Sequence, residues 1–173
     1  GYAVLSVNFR SSTGFGKSFT NAGDFEWGGK ILEDQQDGVQ WAIAQGIADP
    51  TRVAVMGGSF GGYSTLAGLT FYPEVFACGV DIVGPSNLIT LLETIPPYWK
   101  PMIELFTMRV GDHRTEEGRA LLKAHSPLTY VDRIVRPLLI AQGANDPRVK
   151  QAESDQIVTA MQARGIPVAY ALY

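Results

Sequence analysis

The sequence predicts an α/β fold built on a mostly parallel sheet with helices on both faces. Three observations lead to this expectation. Short apolar runs alternate along the chain with segments of helical periodicity. The apolar runs are nearly continuous, as in strands of a parallel sheet that is covered on both sides. Turn-forming Gly and Pro residues separate the segments, for example at Gly84-Pro85.

The predicted strands are short apolar runs, and they cover residues 2–9, 53–56, 78–83, 137–141 and 168–173. The predicted helices cover residues 31–45, 62–69 and 150–164. In the first helix the apolar side chains share one face and the acidic ones occupy the rest, which is typical of a surface helix. The last helix is expected to end at Gly165 and Pro167, because neither residue continues a helix well.

Residues 85–136 interrupt this alternation with a helical excursion between two strands. Three short helices are predicted there, over residues 86–94, 101–109 and 116–124. Such an excursion can cover a site at the carboxyl ends of the strands. Tyr98, Trp99 and Phe106 either line a substrate pocket under it or only pack it onto the sheet.

Composition bounds the class of protein. The chain has 173 residues, 46% of them hydrophobic and 18% charged, which is enough for one globular domain. A net charge of −3 gives no support for nucleic-acid binding, and no apolar run has the ~18 residues of a membrane helix. The single cysteine, Cys78, excludes an internal disulfide and a Cys-rich metal site, and we predict a buried, inert thiol. No metal or cofactor is predicted.

The most informative motif is Gly57-Gly58-Ser59-Phe60-Gly61, between a predicted strand and a predicted helix. A Gly-x-Ser-x-Gly turn in that context is the nucleophile elbow of α/β-hydrolases. We expect the turn to be too tight for side chains at Gly57 and Gly61. It would lift the Ser59 hydroxyl to a helix N-terminus, where free N–H groups favour a developing oxyanion. The alternative is an ordinary βα turn in another doubly wound fold.

A nucleophilic serine needs a base and an orienting carboxylate, which follow in the order Ser, Asp or Glu, His in this fold. Asp146 lies just after strand 137–141 and is the candidate acid, with a turn aspartate that caps the next helix as the alternative. Both histidines, His113 and His125, precede Asp146. We interpret them as structural or surface residues, so the chain has a nucleophile and an acid but no base.

Residues 11–18 end in Gly-Lys-Ser and superficially match a phosphate-binding loop. That loop requires Gly at the position of Ser11 and a helix that begins at Lys17. Residues 19–24 are instead rich in turn formers, so no phosphate site and no helix are predicted here.

Taken together, these motifs resemble the catalytic domain of the prolyl oligopeptidase family of serine peptidases, closest to its acylaminoacyl-peptidase and dipeptidyl-peptidase-like branch. The resemblance covers essentially the whole chain, although the family usually has Gly at Ser11. The matching segments are Ser6–Arg10, Ser12–Gly16, Asp34–Trp41, Asp49–Val53, Gly57–Tyr63, Ser126–Leu128 and Gly143–Val149.

The resemblance implies a role for each matching site residue. Ser59 corresponds to the nucleophile and Asp146 to the acid of the triad. The backbone N–H of Phe60 corresponds to one oxyanion donor. Arg148 corresponds to an arginine that contacts a carbonyl or terminal group of the bound peptide, and Val149 to a residue at the primary specificity pocket.

The implied function is a serine-type peptidase that hydrolyses short peptides through a Ser-Asp-His triad. Its histidine would lie past the last strand, and its second oxyanion donor upstream of Gly1. We therefore expect residues 1–173 to be a partial α/β-hydrolase domain, truncated at both ends and inactive alone. A carboxylesterase on the same fold and a non-catalytic α/β binding fragment are the alternatives. The expected partner is a peptide substrate, with no nucleic acid or membrane, a possible homo-oligomer, and a cytoplasmic location.

Family topology places a further strand between residues 2–9 and 53–56, and this chain does not supply it. We therefore expect unpaired backbone groups and exposed apolar side chains on both neighbours. The isolated chain is expected to be marginally stable or prone to aggregation.

Overall fold

Four parallel strands form a single sheet in a computed structural model that describes residues 1–173. The strands are β1 (Ala54–Gly58), β2 (Cys78–Ile82), β3 (Leu138–Gln142) and β4 (Ala169–Leu172), and they lie side by side in chain order. Gly57 stands opposite Asp81 across the first pair, and Asp81 opposite Ile140 across the second. The predicted parallel sheet is confirmed.

The helices follow the predicted pattern closely, with an additional turn of helix near the start. They are α1 (Lys17–Asn21), α2 (Lys30–Ala44), α3 (Phe60–Phe71), α4 (Leu88–Glu93), α5 (Lys100–Arg109), α6 (Glu116–Ala124) and α7 (Gln151–Ala163). Two 3₁₀ segments, Pro97–Trp99 and Pro127–Arg133, complete the excursion. The expectation that no helix begins at Lys17 is wrong, because α1 starts there in spite of the turn-forming residues that follow.

The central helix α3 is buried along most of its length, from Gly62 to Thr70. It packs on β1 and β2 and carries residues of both core clusters. Leu66 and Leu69 join the cluster formed with β3 and α7, whereas Tyr63 and Ala67 join the cluster formed with α2 and the excursion. Apolar residues occur all round α3 because it is covered on every side.

Helices α3 and α7 cover one face of the sheet. The sequence predicts helices on both faces, and the second face is open in this chain. Leu138 and Ile140 of β3 are buried on the covered face. On the opposite face Met56 is 71% exposed, and Leu139 and Ile82 are also exposed. Cys78 begins β2 on this open face and is half-buried, so the prediction of a buried thiol is wrong.

Residues 2–9 form no strand, contrary to prediction, since no strand lies beside them to complete a ladder. Tyr2 and Val4 are 98% and 92% exposed. The segment instead runs over α2, where Leu5 and Val7 crowd Gly38. A strand missing between residues 2–9 and β1 is expected to expose apolar side chains on both, and both do expose such side chains.

Local caps and an ion pair between two helices stabilise the excursion internally. The Asn87 side chain accepts the Ile89 N–H at the start of α4, and Thr115 does the same for Gly118 at the start of α6. Arg119 of α6 pairs with Glu93 of α4 at 2.7 Å. The excursion is tied to the rest of the domain by Arg109, which pairs with Asp24 at 2.8 Å, and by the Tyr63 hydroxyl of α3, which donates to His125 O at 2.8 Å.

Candidate active site

Ser59 occupies a strained turn at the carboxyl end of β1. Its backbone has φ 56° and ψ −114°, a conformation that residues other than glycine rarely adopt. The turn is held because the Ser59 N–H donates to Ile82 O at 2.9 Å and Ser59 O accepts from the Tyr63 N–H at 3.0 Å. The side chain is exposed and caps no helical N–H. The hydroxyl is therefore presented to solvent at the sheet edge.

The turn around Ser59 requires glycine at Gly57, as predicted, and at Gly62 in place of Gly61. A Cβ on Gly57 would lie 2.5 Å from the carbonyl carbon of Gly61, so Gly57 allows the helix to approach the strand. A Cβ on Gly61 would meet open space, so the expected crowding there is wrong. The second crowded position is Gly62, whose Cβ would collide with Asp81 and with the backbone of Gly84.

Gly57→Ala is expected to lower the free energy of unfolding by about 3 kcal/mol or more, because the added methyl meets backbone that cannot move aside. Gly61→Ala is the matched control, and we expect it to change stability by no more than about 1 kcal/mol. Urea unfolding of both variants checks this difference. Equal stability of the two variants would contradict the packing described for the turn.

The N-terminus of α3 supplies a free donor next to Ser59. The Phe60 N–H donates to no acceptor within the chain. It lies at the first turn of a 12-residue helix, where unpaired N–H groups and the helix dipole favour negative charge. The Phe60 ring packs edge-on against Trp27, with centroids 4.6 Å apart, and against Phe9 at 5.3 Å. These contacts restrain the residue that carries the donor.

Asp146 lies in the loop after β3, which we call the acid loop (residues 143–149). Its Oδ1 accepts the N–H groups of Arg148 and Val149, both at 2.9 Å. This is the turn role considered as an alternative, although Asp146 does not cap α7, which begins after Lys150 without a side-chain cap. Oδ2 makes no hydrogen bond within the chain, so one carboxylate oxygen is available to a further partner.

Ser59 and Asp146 lie at the same rim of the sheet, because each follows a strand of a parallel sheet. One strand, β2, separates β1 from β3, which puts their axes about 10 Å apart. An imidazole with a hydrogen bond at each ring nitrogen spans about 7–8 Å between its partners. The rim can thus hold a serine, an imidazole and a carboxylate in a row.

Neither histidine of the chain occupies that place. His125 follows α6, and its backbone oxygen accepts the Tyr63 hydroxyl at 2.8 Å. Its ring lies close to Gly28, and burial lowers the pKa of its imidazole. His113 precedes α6, and its backbone oxygen accepts from Arg119. No hydrogen bond joins either imidazole to Ser59 or Asp146.

Sequence reasoning missed the environment of Asp81, which lies beneath the elbow. The side chain is fully buried, its Oδ1 accepts the Gly84 N–H at 2.8 Å, and its Oδ2 has no partner. Burial raises the pKa of this carboxyl to about 7. An aspartate inside an apolar strand between Gly79 and Gly84 was the available signal.

Asp81 is expected to make the folded protein less stable as pH rises. An unfolded Asp81 ionises near 3.8 and the folded one near 7, so stability is lost between these values, by about 4 kcal/mol at most. Asp81→Asn cannot ionise and keeps an acceptor for Gly84. We therefore expect urea unfolding at pH 4 and pH 8 to show a smaller decline in the variant. An identical decline in wild type and Asp81→Asn would show that Asp81 is not the source of the pH dependence.

The other predicted site residues lie in or beside the acid loop. The Arg148 guanidinium stacks over the Trp99 ring at 4.9 Å and makes no ion pair. Trp99 connects through Phe106 and Trp27 to Phe60, with successive ring centroids 6.5, 6.3 and 4.6 Å apart. The excursion therefore reaches the elbow through aromatic contacts.

The exposure of Val149 and of Tyr98 is not that of side chains lining a pocket. Val149 is only 6% exposed and packs in the core cluster of Tyr63 and Leu88. Its contact with substrate stays a prediction. Tyr98 is exposed and takes no part in the aromatic chain.

No group of three or more His, Cys, Asp or Glu side chains is close enough together to hold a metal ion. None of the helices combines the length and apolar character needed to cross a lipid bilayer.

The parallel sheet and the strained serine turn between its first strand and a buried helix define a domain of the α/β-hydrolase type. Residues 1–173 match the model of the prolyl oligopeptidase family, and the chain belongs to that family. The resemblance inferred from the sequence motifs is thereby confirmed.

Individual relatives agree with this membership. Dipeptidyl aminopeptidase BIII of Pseudoxanthomonas mexicana is 66% identical over 173 residues, which cover 100% of this chain and 25% of that protein. Dipeptidyl peptidase family member 6 of Caenorhabditis elegans is 58% identical, over 100% of this chain and 24% of its own length. A puromycin-hydrolyzing peptidase of Mycobacterium tuberculosis superposes with a TM-score of 0.86 at 31% identity, over 96% of this chain and 24% of that one. The chain thus spans about a quarter of the length of these relatives.

Proposed function

We propose that these residues form part of the catalytic domain of a serine peptidase that acts on short peptides. Ser59 attacks the scissile carbonyl, and the Phe60 N–H stabilises the oxyanion of the tetrahedral intermediate. Asp146 orients a histidine that the polypeptide supplies from outside these 173 residues. The histidine takes the serine proton and later gives it to the leaving amine.

The backbone of Ser59 is the observation that carries this proposal. A non-glycine residue held at φ 56° and ψ −114° costs about 1–3 kcal/mol, and an ordinary βα turn has no need of it. The strain places a free hydroxyl beside an unpaired helix N–H, at the same rim as a carboxylate with one free oxygen. The proposed nucleophile, oxyanion donor and acid therefore lie at one edge of the sheet, which supports the proposal.

The names of the relatives guide the choice of substrate. The relative at 66% identity is named as a dipeptidyl aminopeptidase, and the one at 58% as a dipeptidyl peptidase family member. We accordingly propose the release of dipeptides from peptide N-termini as the activity to test first. Arg148, whose exposed guanidinium stacks on Trp99 and pairs with no carboxylate, is the proposed contact for a carbonyl or terminal group of the peptide.

Arg148→Met is expected to raise KM about 10-fold or more with a smaller change in kcat, because one charged hydrogen bond to substrate is lost. Arg164→Met, at the end of α7, removes an arginine that bonds only its own helix at Ala160 O. Steady-state kinetics of the two variants should differ. A KM unchanged in Arg148→Met would remove Arg148 from the substrate site.

The full-length polypeptide that carries this segment tests the function directly. We expect it to hydrolyse dipeptidyl chromogenic amides and to be labelled by a fluorophosphonate probe at Ser59. Hydrolysis of simple esters without any peptide hydrolysis would favour the carboxylesterase alternative. No labelling would favour a non-catalytic binding module.

We further expect the 173-residue chain by itself to show negligible turnover, because neither of its histidines bonds Ser59 or Asp146. The same chromogenic substrates measure this. Turnover by the isolated chain that disappears in Ser59→Ala would show that the base lies within it.

A further inference from the structure

Gln142, the last residue of β3, uses its buried side-chain amide to close the acid loop. It is 1% exposed. Its Nε2 donates to Gly143 O and to Val149 O, both at 3.0 Å, so one side chain joins the first and last residues of the loop. Its Oε1 accepts the hydroxyl of Ser154, in α7, at 2.8 Å. The opposite amide orientation would face an oxygen against two carbonyl oxygens, so only this one satisfies all three partners.

The hydrogen bonds connect Gln142 to Asp146 through a single residue. The Val149 C=O accepts from Gln142, and the Val149 N–H donates to Asp146 Oδ1 at 2.9 Å. The backbone of Val149 is therefore held on both sides, and its side chain is fixed in the core. Removal of the amide would leave buried carbonyls unpaired and free the end of the loop to move.

We propose that Gln142 is a positioning residue that fixes the acid loop so that Asp146 Oδ2 faces the catalytic imidazole. This rests on the proposed role of Asp146. Gln142 touches neither Ser59 nor the carboxylate, and it acts only through the loop. Small displacements matter here, since a shift of about 1 Å in a catalytic group can cost about 100-fold in rate.

The chain offers a matched control in Gln156 of α7. Like Gln142 it makes three side-chain hydrogen bonds, here all from Nε2, to Ser86 Oγ, Thr90 Oγ1 and Glu153 Oε2, and none of these partners belongs to the acid loop. Gln→Met preserves length and approximate volume at both positions and removes the hydrogen bonds. Both variants should lose stability, but only Gln142→Met should displace the Asp146 carboxylate.

The experiment compares Gln142→Met and Gln156→Met in the full-length polypeptide with a dipeptidyl chromogenic amide. For Gln142→Met we expect kcat to fall about 10- to 100-fold with KM within about 2-fold. We also expect the acidic limb of kcat/KM to move to lower pH, because a displaced carboxylate no longer raises the pKa of the histidine. Gln156→Met should lower the melting temperature and leave the acidic limb of kcat/KM at its wild-type pH.

Asp146→Asn separates the two possible failures. If Asp146→Asn retains full activity, the role proposed for Asp146 fails and this proposal fails with it. If Asp146→Asn is inactive while Gln142→Met keeps the wild-type kcat and acidic limb, only the proposal about Gln142 is overturned. An equal shift of the limb in Gln156→Met would also overturn it, because the effect would then be general to α7.

Where Gln142→Met does not fold, Gln142→Asn takes its place. The variant keeps an uncharged amide but is one methylene shorter, so it cannot bond Gly143 O, Val149 O and Ser154 together. The same kinetic changes are expected, and wild-type kinetics would overturn the proposal. If neither Gln142 variant folds while Gln156→Met does, Gln142 is needed for folding, and its proposed role in positioning Asp146 is overturned.

Discussion

Replacement of Ser59 by alanine in the full-length polypeptide is expected to lower kcat by about 10⁵-fold or more and to abolish labelling by a fluorophosphonate. The reason is chemical, since an alanine side chain has no oxygen to form the acyl-enzyme. Folding should be kept or improved. The left-handed backbone of Ser59 is set by Gly57 and the helix start, and its hydroxyl makes no hydrogen bond to α3. Chromogenic assay and mass spectrometry of the labelled peptide measure the outcome.

Ser18→Ala is the control for this change, because Ser18 is an exposed serine of the short helix α1 at a distance in the chain from the elbow. It should retain both turnover and labelling. Persistent labelling of Ser59→Ala at another serine would place the nucleophile elsewhere and overturn the assignment of the elbow.

Asp146→Asn is expected to reduce kcat by about 10⁴-fold while the acid loop keeps its shape. The asparagine Oδ1 can still accept the Arg148 and Val149 N–H groups, which lie 2.9 Å from the aspartate oxygen. What disappears is the negative charge that orients and stabilises an imidazolium. Rates across pH and a thermal unfolding curve would separate this loss of chemistry from a loss of fold.

Asp49→Asn tests whether the effect is specific to Asp146. Asp49 forms the same kind of turn, with its Oδ1 accepting the Thr51 N–H at 2.8 Å, but it precedes β1 at the other end of the strand. The variant should have wild-type kinetics. A loss of activity no larger than about 10-fold in Asp146→Asn would indicate that another carboxylate serves as the acid.

The order of elements could be predicted closely because it depends on local signals. The apolar runs that became β2 and β3 needed no knowledge of their partners, and α6 begins and ends where its cap and periodicity indicate. Ser59 and Asp146 could be chosen for the same reason, since each directly follows an apolar run and stands in a turn motif.

Predictions that depended on distant partners were less successful. Residues 2–9 have strand composition, but a strand also requires a neighbour, and none lies beside them. Cys78 has apolar neighbours in sequence and yet lies on the open face of the sheet. The crowding assigned to Gly61 belongs to Gly62, because the obstacle is Asp81, which approaches from β2.

The sequence by itself therefore determined the family and the fold class and predicted the residues of the site, since these follow from short motifs and from the periodicity of apolar residues. Only the tertiary structure decided which face of the sheet is covered, which glycines are required and how the acid loop is held. The physical reason is range. The contacts of Gly62 with Asp81 and of Gln142 with Ser154 join residues from different elements, and such pairs leave no periodic pattern along the chain.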